Sequence, residues 1–249
     1  MKKIIAAAAL ATMGWHAQAT SGDLLVGAAS SLTNVFTEIA TAFQQQYPDT
    51  KVLMSFASSD AVAAQVIHGA PMDIFASADQ QAMDKALAAG SIDTATRRDF
   101  ARNEVVLIVP ADSKLGIHSV ADLKSASVKR VAFGNPATVP VGRYTKAALE
   151  YTGNWDTVKK NEVLGQNVRQ VLDYVVRGEV DAGFVFATDA AIMPGKVKVV
   201  AKLSSPAPVL YPIALVKREG RNPRAQDFLN FIASPTGEAM LTKYGFSKP

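Results

Sequence analysis

Two serine pairs hold the residues whose position best suits chemistry. Ser31 ends the first pair, shortly after the apolar segment 24–28, and Ser59 ends the second, after the segment 52–56. A hydroxyl between a strand and a helix can act as a nucleophile, cap the helix or help to bind an anion. Anion binding is physically reasonable because the first N–H groups of a helix lack intrahelical partners and the helix dipole adds about half a positive charge. The serines alone leave all three roles open.

Motifs for covalent, metal and nucleotide chemistry are missing from the sequence. The chain has no G-x-S-x-G elbow, no H-E-x-x-H motif, and neither a P-loop nor a dinucleotide fingerprint. It has no cysteine, and His68 and His118 are the only histidines after residue 19, which gives no usual metal-ligand spacing. We therefore expect no enzyme activity, no cofactor and no metal held by side chains. A periplasmic hydrolase that uses Ser31 or Ser59 as nucleophile is kept as the alternative from another class.

The elements that must position these serines alternate between strands and helices. Apolar residues at helical spacing follow the first serine pair, namely Leu32, Val35, Phe36, Ile39 and Phe43. A second apolar stripe follows the other pair, at Val62, Val66 and Ile67. This alternation predicts an α/β protein with parallel sheets covered on both faces, and ligand sites at the carboxyl ends of the strands.

The same alternation restarts in the middle of the chain and predicts a second lobe. It resumes after the apolar strand predicted at 104–110, with a strand at 128–133. Helices at 141–151 and 168–177 and a strand at 182–186 follow. We assign residues 20–103 with 209–249 to lobe I and residues 104–208 to lobe II.

Residues 1–19 have the three parts of a secretory signal. Lys2 and Lys3 precede an apolar run at 4–13, and Ala17-Gln18-Ala19 matches a cleavage site. No cysteine follows that site, so we expect a soluble periplasmic protein without a bacterial lipid anchor. Without the two lysines, 24 basic residues face 22 acidic ones. This balance, without a basic cluster, gives no support for nucleic-acid binding.

Several sequence phrases carry a resemblance to a known family. They include GAASSLTN at 27–34, SFASSDAVAAQVIHGAPMDIFASAD at 55–79, VAFGNPATVPVGRYTKAAL at 131–149 and QNVRQVLDYVVRGEVDAGFVFATDA at 166–190. Across residues 22–249 the chain resembles the periplasmic molybdate-binding proteins of ABC importers and their tungstate-binding relatives. The resemblance implies a type II periplasmic binding protein fold, in which two α/β lobes joined by two crossover segments enclose a ligand cleft.

The resemblance also implies a set of ligand-binding residues. Ser31 and Ser59 match the positions that donate hydroxyl and backbone N–H groups to the oxyanion. Val141 and Val168, each at a helix start, match positions that donate a backbone N–H. Phe186 stands where the family often has a tyrosine whose hydroxyl reaches the anion, so one donor is missing here. We expect weaker binding or an altered anion preference unless water or a neighbour such as Thr188 supplies that donor.

The implied function is transport without chemistry. By resemblance, the protein captures molybdate, and also tungstate, and delivers it as a monomer to a membrane permease driven by a cytoplasmic ATPase. Receptors for another tetrahedral oxyanion, such as sulfate, chromate or phosphate, are the alternatives within the binding proteins. Hydrogen phosphate carries a proton and needs an acceptor in its site, which Asp60 would have to supply.

Overall fold

Two five-stranded sheets form the centre of the molecule. The computed structural model describes residues 22–249, and the predicted signal peptide lies outside them. The first sheet contains β1 (Leu24–Ala29), β2 (Val52–Ala57), β3 (Ile74–Ala76), β4 (Arg98–Asn103) and β10 (Val209–Leu215), in the order β2-β1-β3-β10-β4. The second contains β5 (Val105–Pro110), β6 (Val131–Gly134), β7 (Glu162–Gly165), β8 (Ala182–Phe186) and β9 (Val197–Lys202), in the order β7-β6-β8-β5-β9.

Each sheet has one strand that runs against the others, so the expectation of purely parallel sheets is wrong. In the first sheet β10 is antiparallel to both β3 and β4, and in the second β5 is antiparallel to β8 and β9. The reason lies in the connections. β5 starts where β4 ends, and β10 follows β9 from the other sheet. A strand that enters a sheet directly from the cleft side must run away from the cleft, opposite to strands that end there.

Helices pack on both sheets in the described part of the chain. They are α1 (Thr33–Gln46), α2 (Ser59–Ile67), α3 (Gln80–Ala88), α4 (Pro140–Tyr151), α5 (Trp155–Lys159), α6 (Val168–Val176), α7 (Ala187–Ala191), α8 (Ala225–Ile232) and α9 (Pro235–Lys243). The stripe predicted for α1 is confirmed, since Val35, Phe36, Ile39 and Phe43 are all buried. Within residues 22–249, no helix has the length and apolar character that crossing a membrane requires.

The chain passes between the two sheets twice. The first passage is the single residue Glu104, between β4 and β5, and the second is the loop between β9 and β10. The fold is thus the two-lobe α/β fold that the resemblance implies. The lobe limits at residues 103/104 and 208/209 stay a prediction, which the change of sheet at these points supports.

A pair of glycines lets helix α4 approach the end of β6. A Cβ atom on Gly142 would lie 1.9 Å from the carbonyl oxygen of Gly134, and one on Gly134 would lie 2.6 Å from a Val139 methyl carbon. Any larger residue at Gly142 would therefore push the helix away from the strand. The two glycines place the first turn of α4, with Val141, beside the carboxyl end of β6.

Candidate anion-binding site

A small cavity lies between the two sheets, at the ends of strands from both lobes. It is lined by Ala29, Ser30, Ser31, Ala57, Ser58, Ser59, Ala78, Val139, Pro140, Val141, Val168 and Phe186. The structure therefore brings together around one cavity all five residues singled out from the sequence. The lining contains serine hydroxyls and the first turns of helices, and no charged side chain.

The second serine pair divides two tasks between its members. Ser58 is the N-cap of α2, because its hydroxyl accepts a hydrogen bond from the Ala61 N–H at 3.3 Å. Ser59 is fully buried, and its hydroxyl accepts the Ala78 N–H at 2.9 Å. Because Oγ of Ser59 already accepts a hydrogen bond, its own hydrogen is free to point into the cavity. The ordinary cap interpretation thus applies to Ser58 and not to Ser59.

Ser31 is also not a helix cap. It lies in a short 3₁₀ turn, Ser30–Leu32, that precedes α1, and no side chain caps this turn or α1. Its side chain is buried, and Oγ lies 3.0 Å from the hydroxyl oxygen of Tyr211. Tyr211 is a fully buried residue of β10 that sequence reasoning missed. Because Tyr211 lies 180 positions from Ser31 in the sequence, no local sequence pattern predicts this contact.

Two helix starts from lobe II face the serines. Pro140 is the first residue of α4 and has no N–H, so Val141 carries the first N–H that this helix presents. At α6 the Asn167 side chain accepts the Gln170 N–H at 3.0 Å, and Val168 is the first helical residue. Both valines are buried against the cavity. The N–H groups of first-turn residues have no carbonyl partner within the helix, so these ends suit an anion.

Phe186 closes the cavity with an aromatic ring and offers no hydroxyl. The ring is buried, and its centroid lies 5.7 Å from that of Tyr211 and 6.3 Å from that of Tyr144. Thr188, the suggested substitute donor, is not part of the lining. Its hydroxyl instead accepts a hydrogen bond from the Asn103 side chain at 2.8 Å.

An arginine of α4 bridges the lobes on one side of the cavity. Arg143 donates from Nε to Asp79 at 2.7 Å and from its terminal nitrogen to Asp60 at 2.5 Å. The other oxygen of Asp60 lies 2.6 Å from Lys85 Nζ. Burial raises the pKa of the Asp79 carboxyl, and the positive charge of Arg143 opposes that shift. Asp60 is thus engaged with two cations outside the cavity and is not among its lining residues.

A second arginine bridges the lobes on the other side. Arg169, in the first turn of α6, lies with Nε 2.6 Å from the fully buried Asp189 and donates to the Asn34 side chain at 2.8 Å. Burial raises the pKa of Asp189 to about 6, against the lowering effect of Arg169. Both arginines follow the helix ends that carry Val141 and Val168. They link the two lobes without placing a net charge in the cavity.

The arrangement suits the binding of an anion. Of the histidines within residues 22–249, neither His68 nor His118 lines the cavity, so neither is placed beside Ser31 or Ser59 to act as a base. Across residues 22–249, no group of three or more His, Cys, Asp or Glu residues is arranged to hold a metal ion. Donors that converge without an acceptor carboxylate suit an oxyanion that carries no proton.

Comparison with known proteins places the chain in a family. The family model described as "Bacterial extracellular solute-binding protein" matches residues 24–247. The molybdate-binding protein ModA of Escherichia coli is 38% identical over 251 residues, which cover 98% of this chain and 96% of that protein. The molybdate-binding protein ModA of Haemophilus influenzae is 35% identical, and the alignment covers 99% of this chain and 98% of that protein. The solved periplasmic molybdate-binding protein of Azotobacter vinelandii aligns with a TM-score of 0.79 over 91% of this chain and 99% of its own, at 24% identity, which supports the fold. The chain therefore belongs to the bacterial extracellular solute-binding protein family.

Proposed function

We propose that this protein binds molybdate, and also tungstate, in the cavity between its lobes and delivers it to an ABC importer. The observation that carries the proposal is the cavity itself, in which two buried serine hydroxyls from lobe I face two helix N-termini from lobe II. Relatives more than one third identical over nearly their whole length are named for molybdate binding, which agrees with this chemistry.

The proposed contacts follow from the charge of the ligand. Molybdate and tungstate are dianions without protons near neutral pH, so each of their oxygens accepts hydrogen bonds. Ser31 and Ser59 would donate through their hydroxyl and backbone N–H groups, and Val141 and Val168 through their N–H groups. Hydrogen phosphate needs an acceptor in the site, and the acceptor considered from the sequence, Asp60, is engaged by Arg143 and Lys85. The site should therefore favour oxyanions that carry no proton.

The remaining parts of the proposal concern transport. No covalent step and no cofactor are involved, and closure of the lobes over the anion is the functional event. We propose that residues 1–19 direct export, that the mature protein is a soluble periplasmic monomer without a lipid anchor, and that its partners are a membrane permease and a cytoplasmic ATPase. The charge balance of the mature chain gives no reason to expect nucleic-acid binding.

Parallel calorimetric titration of the mature protein with molybdate, tungstate, sulfate and phosphate tests the proposed function. A ligand at a hundredfold excess over its Kd, bound only by the native form, adds about 2.7 kcal/mol to the free energy of unfolding. Thermal melting should therefore shift upward with molybdate and tungstate and hardly at all with phosphate. A phosphate shift equal to that of molybdate would contradict the donor-only site. Sulfate binding with no molybdate binding would make the protein a receptor for the smaller anion.

Replacing Phe186 with tyrosine should strengthen molybdate binding. The ring already lines the cavity, so Phe186→Tyr puts a phenolic donor near an oxygen of the bound dianion. We expect a gain of about 1 kcal/mol, below the full value of a charge-assisted bond, because the hydroxyl must displace water. Calorimetry with molybdate and sulfate on both proteins measures it, and sulfate should gain less because its oxygens lie farther from the hydroxyl. An unchanged molybdate affinity would mean that another donor already serves that oxygen.

A further inference from the structure

The direction of the Ser31 hydroxyl hydrogen decides whether this residue can donate to an anion. A serine hydroxyl has one hydrogen and can also accept, so it helps an anion only when its hydrogen faces the cavity. For Ser59, Oγ already accepts a hydrogen bond from the Ala78 N–H, which leaves its own hydrogen available to the cavity. The neighbour of Ser31 Oγ is instead the Tyr211 hydroxyl at 3.0 Å, and either group could donate in that pair.

The contacts of Asn103 favour one direction for this pair. Its amide oxygen accepts the Glu104 N–H at 2.9 Å, so its amide nitrogen faces the other way. That nitrogen lies 2.8 Å from Thr188 Oγ1 and 3.3 Å from the hydroxyl oxygen of Tyr211. An amide nitrogen carries two hydrogens and cannot accept, so Thr188 and Tyr211 each receive one of them.

These contacts leave the hydrogen of Tyr211 available to Ser31. Because its oxygen accepts from Asn103, its single hydrogen is available to Ser31 Oγ at 3.0 Å. Tyr211 is fully buried, and burial raises the pKa of its hydroxyl well above the usual value, so it keeps its proton. Ser31 Oγ in turn accepts from Tyr211 and has its own hydrogen left for the cavity.

We propose that Asn103 and Tyr211 are positioning residues that hold the Ser31 hydroxyl as a donor toward the cavity, and that they thereby help the site to reject oxyanions that carry a proton. This inference rests on the proposed function, because it concerns the same cavity. Ser31 and Ser59 would then be held in the same state by different means, one by a side-chain relay and the other by a backbone N–H. The relay starts at Asn103, the last residue of β4 before the first passage between the lobes.

The variant Tyr211→Phe tests the relay while it keeps the ring. The aromatic contacts to Phe100, Phe186 and Phe246 depend on the ring and not on the hydroxyl. Without the phenol, the Ser31 hydroxyl is free to rotate and to accept a hydrogen bond from a protonated anion. We expect the Kd for molybdate to rise about three- to tenfold, the range of one ordinary hydrogen bond. The Kd for phosphate should rise less or fall, so the ratio of the two affinities decreases.

A double-mutant cycle separates positioning from general packing. If Tyr211 acts through Ser31, Tyr211→Phe should change molybdate affinity in the parent and leave it unchanged in the Ser31→Ala background. Equal losses in both backgrounds would overturn the proposal and assign Tyr211 a packing role. Tyr47→Phe is the matched control, since Tyr47 lies at the end of α1 beside Phe43 and Arg224, and it should bind like the parent.

The outcomes also distinguish this inference from the proposed function. A parent protein that binds none of the four anions would remove the proposed function and the relay with it. A parent that binds molybdate, together with a Tyr211→Phe variant of unchanged affinity and selectivity, would overturn the relay alone. Melting curves of each variant without ligand show that it is folded before its affinity is compared.

Discussion

The Arg143→Met variant is expected to bind molybdate at least about 100-fold more weakly than the parent. In the structure Arg143 of lobe II lies between Asp60 and Asp79 of lobe I, and the side chains of all three are at most 14% exposed. Removing one member of a buried ion pair costs about 3 to 5 kcal/mol, because the partner charge stays buried without compensation. In the Arg143→Met variant, closure of the lobes would bury the Asp79 carboxylate without its cationic partner. The penalty falls on the closed form, which is the form that holds the anion.

Lys146→Met is the matched control for this prediction. Lys146 lies in the same helix, but its pair with Glu150 is separated by 3.6 Å and both side chains are about half exposed. Such surface pairs contribute about 0 to 1 kcal/mol, so this variant should bind like the parent. Calorimetry gives the affinities, and X-ray scattering with and without molybdate reports closure. Parent-like affinity of Arg143→Met would show that this bridge does not stabilise the closed form.

The sequence predicted the elements well where local patterns determine them. The strand at 182–186 is found as expected, and α4 and α6 begin within one residue of their predicted starts. Strands β4, β7 and β9 were missed. Their sequences mix charged and apolar residues because one face or edge is exposed, as the half-exposed β9 illustrates. The reversed direction of β5 and β10 depends on how the chain crosses between lobes, which residue periodicity does not encode.

In the candidate site, too, local sequence patterns predict some features, whereas others depend on long-range contacts. The structure places the five residues chosen from the resemblance around one cavity, and their role as ligands remains a proposal. The sequence left open whether Asp60 reaches the anion as an acceptor, and in the structure its oxygens contact Arg143 and Lys85. The supporting contacts made by Tyr211 and Arg143 join residues far apart in sequence, and each side chain has an ordinary local explanation as core or helix surface.

Removing the serine hydroxyls tests the donor site directly. Ser31→Ala and Ser59→Ala should each weaken molybdate binding by about 1.5 to 3 kcal/mol, roughly tenfold to 150-fold, because each deletes a hydrogen bond to a charged group. Both variants should also lose stability. Ser59→Ala leaves the Ala78 N–H without its acceptor, and Ser31→Ala leaves the Tyr211 hydroxyl without one, in buried surroundings.

A serine outside the cleft separates these two effects. Ser234 is the N-cap of α9, where its hydroxyl accepts the Gly237 N–H at 3.2 Å, and it does not line the cavity. Ser234→Ala should lower the free energy of unfolding by about 0.5 to 2 kcal/mol, as the loss of a cap does, and leave the Kd unchanged. Urea denaturation and calorimetry on the three variants compare stability with affinity. If Ser31→Ala and Ser59→Ala behaved like Ser234→Ala, the two hydroxyls would only support the fold and the anion would have to bind elsewhere. If Ser31→Ala and Ser59→Ala raise the Kd for molybdate while Ser234→Ala, with a similar loss of stability, does not, the two hydroxyls themselves bind the ligand.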